Sequence, residues 1–347
     1  MTRVALLGAT GSIGRQALDV IAANDGLELV AATSGSTRID ELAPLTQVGG
    51  DPTDLLERAQ PDVVLNATVG FAGLAGTMWA LERGVTLALA NKESLVAAGE
   101  LALAARGRGR GLLVPVDSEH SALFQCSQLG EPESLVLTAS GGPFRGLQRD
   151  ALTDVTAEQA LAHPTWNMGP KITIDSATLA NKGLEVIEAH FLFAVPYDRI
   201  EVVVHPTSIV HGIVRFHDGA AIAHLGYPDM RVPISYALTY PDRAVTPIPP
   251  LDLTQGPLEF YEPDVDTFRL LALAREAGTR GGTYPCAYNA ANEAAVAAFL
   301  DGRIGFLDIA ALVEDVLERV DGSAARDLEE LREADGRARA LTERTWA

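Results

Sequence analysis

The chain has 347 residues, 47% of them apolar and 21% charged, with a formal net charge of −19. That length and apolar content describe two or three globular domains rather than a disordered chain, and so acidic a balance argues against nucleic acid as a partner, because phosphate contacts draw on clustered Lys and Arg. No apolar run reaches the length of a membrane span, Met1-Thr2-Arg3-Val4 leads directly into a strand, and Cys126 and Cys286 stand alone, so a cytoplasmic protein with two reduced, buried thiols is expected.

Up to about Val116, short apolar runs alternate with helical stretches, the pattern of parallel strands joined by crossover helices. Strands are predicted at Val4–Leu7, Leu29–Ala32, Val63–Asn66, Thr86–Ala90 and Leu112–Val116, with room for helix but little more between Asp40 and Asp62. The implied fold is α/β: residues 1–116 form a shortened, Rossmann-like doubly wound parallel sheet that binds a nucleotide. Residues 117–240 read as an α+β catalytic segment with strands at Leu135–Thr138, Glu201–Val204, Ile213–Phe216 and Ala221–Leu225. Residues 241–263 are a proline-rich extended linker. Residues 264–347 show helical periodicity at Val265–Ala277, Ala287–Leu300 and Phe306–Val320, which predicts a small C-terminal helical bundle.

Gly8, Thr10, Gly11, Ser12, Ile13 and Gly14 follow the first strand and open a helix, so backbone N–H groups there are free to meet a pyrophosphate. At the end of the second strand, where an acid would hold the ribose hydroxyls of NAD, the chain carries Gly35, Ser36, Thr37 and Arg38. Hydroxyls and a guanidinium there favour a 2′-phosphate and hence NADPH, the alternative being a solvated Arg38.

Asp117-Ser118-Glu119-His120 follows the strand Leu112–Val116. Asp and Glu two apart on extended backbone point to one side and can share a hard cation; taken alone, an acidic turn is the plain alternative. Asn91-Lys92-Glu93-Ser94 sits at another strand end, where Lys92 can hold a substrate oxygen. Ser140-Gly141-Gly142 can wrap N–H groups around an anion or simply turn the chain. The loop from His163 through Trp166 and Met168 to Gly169 is either a lid that excludes water or a surface loop whose Trp packs on its own domain. From Ser176 onward, Asn181, Lys182 and Glu185 share one helical face, so Glu185 is either half of an exposed salt bridge or a third carboxylate for Mg²⁺ or Mn²⁺. Structural roles are expected for the histidines of His205-Pro206-Thr207-Ser208-Ile209-Val210-His211.

In order, GATGSIG, NKES, DSEH, ASGGPF, HPTWNMG, DSATLANKGLE, HPTSIVH, LGYPDMR and the stretch from Tyr284 to Ala294 closely resemble the 1-deoxy-D-xylulose 5-phosphate reductoisomerase family. The resemblance implies NADPH- and metal-dependent rearrangement and reduction of a phosphorylated sugar in non-mevalonate isoprenoid synthesis, by a homodimer. It implies that Asp117, Glu119 and Glu185 bind the metal, and that Lys92 and His163 join them as catalytic groups. Ser118, Ser140, Ser176, Asn181 and Lys182 would hold the substrate with Lys92, His163, Glu119 and Glu185, and Trp166 and Met168 would belong to a mobile lid. Asn91, Glu93, Gly169 and Met230 would join the glycine turn and residues 35–38 around NADPH. Two departures touch the adenosine end of that pocket: the stretch before Asp62 is short, as if a strand-helix unit were missing, and Ser36-Thr37-Arg38 stands where family members tend to carry Asn or Lys. A retro-aldol/aldol sequence and a ketol shift both satisfy the residues. The rival readings are a reductase of another sugar phosphate and a catalytically silent NADPH sensor.

Overall fold

The computed structural model describes residues 1–166 and 168–344. Asn167 of the loop 163–169 and the last three residues of the charged terminal segment lie outside the described residues. Six strands, β1 (Thr2–Leu7), β2 (Leu27–Ser34), β3 (Leu45–Val48), β4 (Val63–Asn66), β5 (Thr86–Leu89) and β6 (Leu113–Pro115), form one sheet in the order β3-β2-β1-β4-β5-β6. Every neighbouring pair is parallel. The chain leaves β1 in one direction and returns to β4 on the other side, so the strand order reverses between them, and the carboxyl ends there open onto a crevice.

Five of these strands match the sequence expectation; β3 is the sixth. The short stretch before Asp62 holds β3 and the helix α2 (Thr53–Ala59), and the connection from β2 to β3 carries no helix. Leu45-Thr46-Gln47-Val48 carries no strand signal in the sequence because it is a half-exposed edge strand with neither an apolar run nor a clean alternation.

Alternation along β1 sends Ala5 and Leu7 into one core and Val4 and Leu6 into another, as the two-residue period requires. The first face is covered by α3 (Leu74–Arg83) and α4 (Lys92–Gly109), through Met78, Trp79, Leu81 and Leu95. The second is covered by α1 (Ser12–Ala22) and by α9 (Arg231–Thr239), whose Ile234, Ala237 and Leu238 return from much later in the chain to close it.

A second sheet has the order β10-β9-β7-β8, from β7 (Ser134–Ala139), β8 (Ile200–Val204), β9 (Val210–Arg215) and β10 (Ala221–Leu225). Its core is shared with α8 (Ala180–Phe193) and the helices α10 (Leu270–Arg280), α11 (Tyr284–Leu300) and α12 (Asp308–Arg319). The first of these starts five residues later than the periodicity indicated. Residues 241–263 carry no helix and pair only through an isolated bridge between Tyr261 and Val204, with Phe260 stacked 4.7 Å from the His205 ring. No helix among the described residues is long and apolar enough to cross a membrane.

Candidate functional site

A cavity of about 580 Å³ opens at the carboxyl edge of the six-stranded sheet and is lined from the glycine turn, α4, the Asp117 segment, α8 and residues 228–230. The glycine turn is forced by close backbone approach. A Cβ on Gly14 would lie 2.2 Å from the Gly8 carbonyl oxygen, and Gly8, at φ +85°, would meet Ala67 O at 2.6 Å. Those clearances hold the first turn of α1 against the end of β1 and bring Ser12 and Ile13 to the cavity wall.

Asp117 and Glu119 converge by a different route from the extended-strand geometry expected. Asp117 is the cap residue of α5 (Ser118–Ser127), and Glu119 lies in that helix's first turn. One carboxylate oxygen from each of them and one from the fully buried Glu185 on α8 lie within 4.8 Å of one another. Two lysines interleave them. Lys92 Nζ is 2.6 Å from Asp117 Oδ2 and 3.0 Å from Glu185 Oε1, and donates to Asn181 Oδ1 at 2.8 Å. Lys182 Nζ is 2.9 Å from Glu119 Oε1 and also bonds Glu185 Oε2, while the Asn181 amide donates to Glu185 Oε1.

Burial by itself would push the Lys92 ammonium toward neutrality, but Asp117 and Glu185 outweigh it and hold its pKa well above the ordinary value. For Asp117 burial raises the pKa, and the charges of Lys92, His120 and Lys182, together with the Lys92 hydrogen bond, more than reverse this. Glu119 goes the other way, raised by burial and then by repulsion from Glu185. Three carboxylates against two ammoniums leave one negative charge, and the buried Oδ1 of Asp117 has no hydrogen-bond partner. An all-oxygen donor set with a surplus charge and an orphaned oxygen fits a hard divalent cation such as Mg²⁺ or Mn²⁺.

Behind this cluster His120 links α5 to α8. Its Nε2 lies 2.9 Å from the Glu185 carbonyl oxygen, and its Nδ1 lies 2.8 Å from Glu188 Oε2, a contact at ion-pair distance that is poorly aligned for a hydrogen bond. Burial opposes the charged ring, yet Glu188 lifts its pKa to about 9. A raised histidine pKa contributes stability that is complete below the ordinary value of 6.5 and is lost as pH rises through about 9. That span corresponds to about 3 kcal/mol. His120→Gln is expected to flatten the fall in stability between those pH values, as read by chemical denaturation at each. An unchanged slope would assign the pH dependence to another group.

Ser140 and Ser176 also line the cavity and form a hydroxyl cradle. Ser140 follows β7, and Gly141 and Gly142, at φ +86° and +68°, turn the chain sharply after it. His163 Nε2 is 3.1 Å from both Ser140 Oγ and Ser176 Oγ, the latter on α7 (Pro170–Ala177). Its Nδ1 accepts from the N–H groups of Thr165, at 3.1 Å, and Trp166, at 2.9 Å. That acceptor role places the proton on Nε2, aimed at the serines, and burial lowers the histidine pKa and keeps the ring neutral. Trp166, Met168, Gly169 and Met230 line the same cavity. The expected structural role of His205 is met: its Nδ1 is 2.7 Å from Glu259 O, and its Nε2 is 3.0 Å from Thr207 Oγ1.

Family models described as 1-deoxy-D-xylulose 5-phosphate reductoisomerase match residues 4–50 and 50–99, and models of that enzyme's C-terminal domain match residues 113–193 and 225–341. The chain belongs to the 1-deoxy-D-xylulose 5-phosphate reductoisomerase family. It is 52% identical to the reductoisomerase of Leifsonia xyli, over 99% of this chain and 98% of that one. It is 50% identical to the Geobacillus kaustophilus enzyme, over 98% of each. Among solved structures, it resembles the reductoisomerase of Zymomonas mobilis in complex with NADPH, with a TM-score of 0.90 at 39% identity over 99% of both chains. A reductoisomerase in complex with NADPH, fosmidomycin and magnesium gives 0.91 at 36% identity, over 99% of this chain and 98% of that one.

Within this reductoisomerase fold, some residues expected at the site face elsewhere. The Asn91 amide caps α4, accepting from Ser94 N, and donates to the carbonyls of Thr68 and Gly70 at 2.7 and 2.9 Å. Glu93 points away from Lys92 and pairs with Lys171 at 2.9 Å, and neither Asn91 nor Glu93 is among the cavity's lining residues. Gly35, Ser36, Thr37 and Arg38 follow β2 outside the cavity, with exposed Arg38 paired to Asp40. Thr10, Gly11, Gly14 and His163 shape the wall without lining it. Sequence reasoning missed Arg15, Gln16 and Asp229, all of which line the cavity. The first two sit one and two residues beyond the glycine pattern, which ends at Gly14. Asp229 lies within LGYPDMR and is clamped by Arg231, whose Nε and Nη2 donate to it at 2.9 and 2.6 Å.

Proposed function

We propose that this chain converts 1-deoxy-D-xylulose 5-phosphate into 2-C-methyl-D-erythritol 4-phosphate, using NADPH and a divalent cation, in the non-mevalonate route to isoprenoids. The observation that carries this reading is the Asp117, Glu119 and Glu185 cluster with its unpartnered Asp117 Oδ1, set in one cavity with the glycine turn and the serine cradle. Asp117, Glu119 and Glu185 would hold the cation, and Ser12, Ile13, Gly169 and Met230 would face the cofactor. When bound, the cation supplies Lewis-acid stabilisation of charge on the sugar's ketone and neighbouring hydroxyl oxygens, and the nicotinamide supplies the hydride that reduces the rearranged aldehyde.

The chain's own groups do the rest. Ser140 and Ser176, oriented by the protonated Nε2 of His163, present hydroxyls to the substrate phosphate. Lys92, Asn181 and Lys182 fix the sugar oxygens, and Ser118 faces the sugar between the two metal carboxylates. Trp166 and Met168 cover the site with apolar surface and exclude water while the carbon skeleton is open. The deciding assay follows NADPH oxidation with deoxyxylulose phosphate and with a panel of other sugar phosphates, each with Mg²⁺ and with chelator. Mg²⁺-dependent turnover confined to deoxyxylulose phosphate is expected, and a preference for another sugar would overturn the assignment.

A cytoplasmic setting is proposed with it, in keeping with the free, buried thiols of Cys126 and Cys286. So is a homodimer. The β8 edge of the second sheet is bridged by Tyr261, whereas β10 offers an open edge with Ala221, Ile222 and Ala223 exposed. An exposed apolar edge strand is a template for pairing with a second copy. Ile222→Lys is expected to convert a dimer into a monomer by sedimentation velocity; a wild-type monomer would defeat the idea.

A further inference from the structure

The charge balance around the cavity is unfavourable for anions. Arg15, Lys92 and Lys182 line it against Asp117, Glu119, Glu185 and Asp229, three cations facing four carboxylates, in a protein of net charge −19. Lys92 and Lys182 are each held between two carboxylates, and Arg231 beside the cavity is committed to Asp229. Arg15 alone among the lining cations has no ion pair within the described residues. It lies on the first turns of α1, and its Nη1 donates to the carbonyl oxygen of Thr10, within the glycine turn. That bond folds the side chain back over the turn and leaves the remaining guanidinium N–H groups uncommitted.

An unpaired guanidinium held against a glycine turn suits a multiply charged anion, since planar forked donors match phosphate oxygens. We propose that Arg15 binds the diphosphate of the dinucleotide cofactor, supplying the fixed positive charge that the rest of the cavity spends on its own carboxylates. This rests on the NADPH assignment above. The glycine turn would contribute neutral N–H donors and Arg15 the charge, so Arg15 governs cofactor affinity and its sensitivity to salt. Because Arg15 is exposed and its side chain hydrogen-bonds to the Thr10 carbonyl rather than to the core or the carboxylates, its replacement leaves the core and the carboxylate cluster intact.

Calorimetric titration with NADPH at about 50 and 200 mM salt, a range over which exposed charge interactions weaken appreciably, tests this on wild type, Arg15→Met and Arg15→Lys. Met keeps an unbranched stem without the charge. The expected result is binding about tenfold weaker for Arg15→Met at low salt, converging on wild type at high salt, with Arg15→Lys, which keeps the charge without the fork, intermediate in affinity and retaining the wild-type salt dependence. Unchanged affinity in Arg15→Met overturns the proposal. So does weakened affinity with an undiminished salt dependence, because the loss would then come from the shape of the turn rather than from its charge. Wild-type protein that binds no NADPH would instead remove the cofactor assignment on which the proposal stands.

Discussion

Glu185→Gln is expected to lower metal-dependent turnover on the order of a thousandfold while leaving NADPH binding nearly unchanged. The side chain keeps its size, so packing in the core of α8 survives; what changes is charge and donor direction. Glu185 accepts from Lys92, Lys182 and Asn181, and an amide cannot accept at both ends. Its NH₂ group would face one of these donors, leaving an ammonium or amide unsatisfied in a buried site. The cluster would also fall to two carboxylates against two ammoniums and lose the surplus negative charge that suits it to a divalent cation. Ser12 and Ile13 belong to α1 and have no hydrogen bond to Glu185, so the cofactor should notice little. Turnover titrated with Mg²⁺, beside NADPH calorimetry, checks both halves, and wild-type rates in the variant would show that the three-carboxylate reading is mistaken.

The chemistry at Glu185 was legible because its neighbours are spaced for it. Asn181, Lys182 and Glu185 share a helical face by simple periodicity, and the glycine turn announces itself between a strand and a helix. The sequence could not show which way consecutive side chains point at the start of a helix. Lys92 and Glu93 are adjacent, yet Lys92 turns toward Asp117 and Glu93 toward Lys171. Lys171 also lies 2.8 Å from Asp175, whose Oδ1 accepts from Asn292 at 2.7 Å. That buried chain ties α7, which follows the Trp166 loop, to α4 and α11, through partners separated by as many as 117 residues. Long-range pairing of this kind leaves no local pattern. The same limit explains β3, whose four residues become a strand only because β2 is beside them, and α9, whose apolar face gives no hint that it closes a sheet formed by the first third of the chain.

Lys92→Met separates two roles that one residue holds together. In chelator the variant loses the cation between Asp117 and Glu185, and stranding one side of a buried ion pair costs about 3–5 kcal/mol, which corresponds to a melting temperature lower by roughly 5–10 °C. Lys92 has a raised pKa, so its stabilising pairing is complete below the ordinary lysine value and fails only as pH climbs through a still higher one. The gap between variant and wild type should therefore stay flat from neutrality to about pH 9. Magnesium changes the comparison. Lys92 Nζ occupies oxygens of two of the proposed ligands, so removing it frees them, and added Mg²⁺ should raise the variant's melting temperature more than it raises that of the wild type. Turnover should nonetheless fall about a hundredfold, because a tighter metal site does not replace the ammonium that holds the substrate oxygen. Thermal melts across a Mg²⁺ titration, paired with steady-state rates, read the two effects separately. A variant that gains no more from Mg²⁺ than wild type does would mean that Lys92 and the cation do not compete for the same carboxylates.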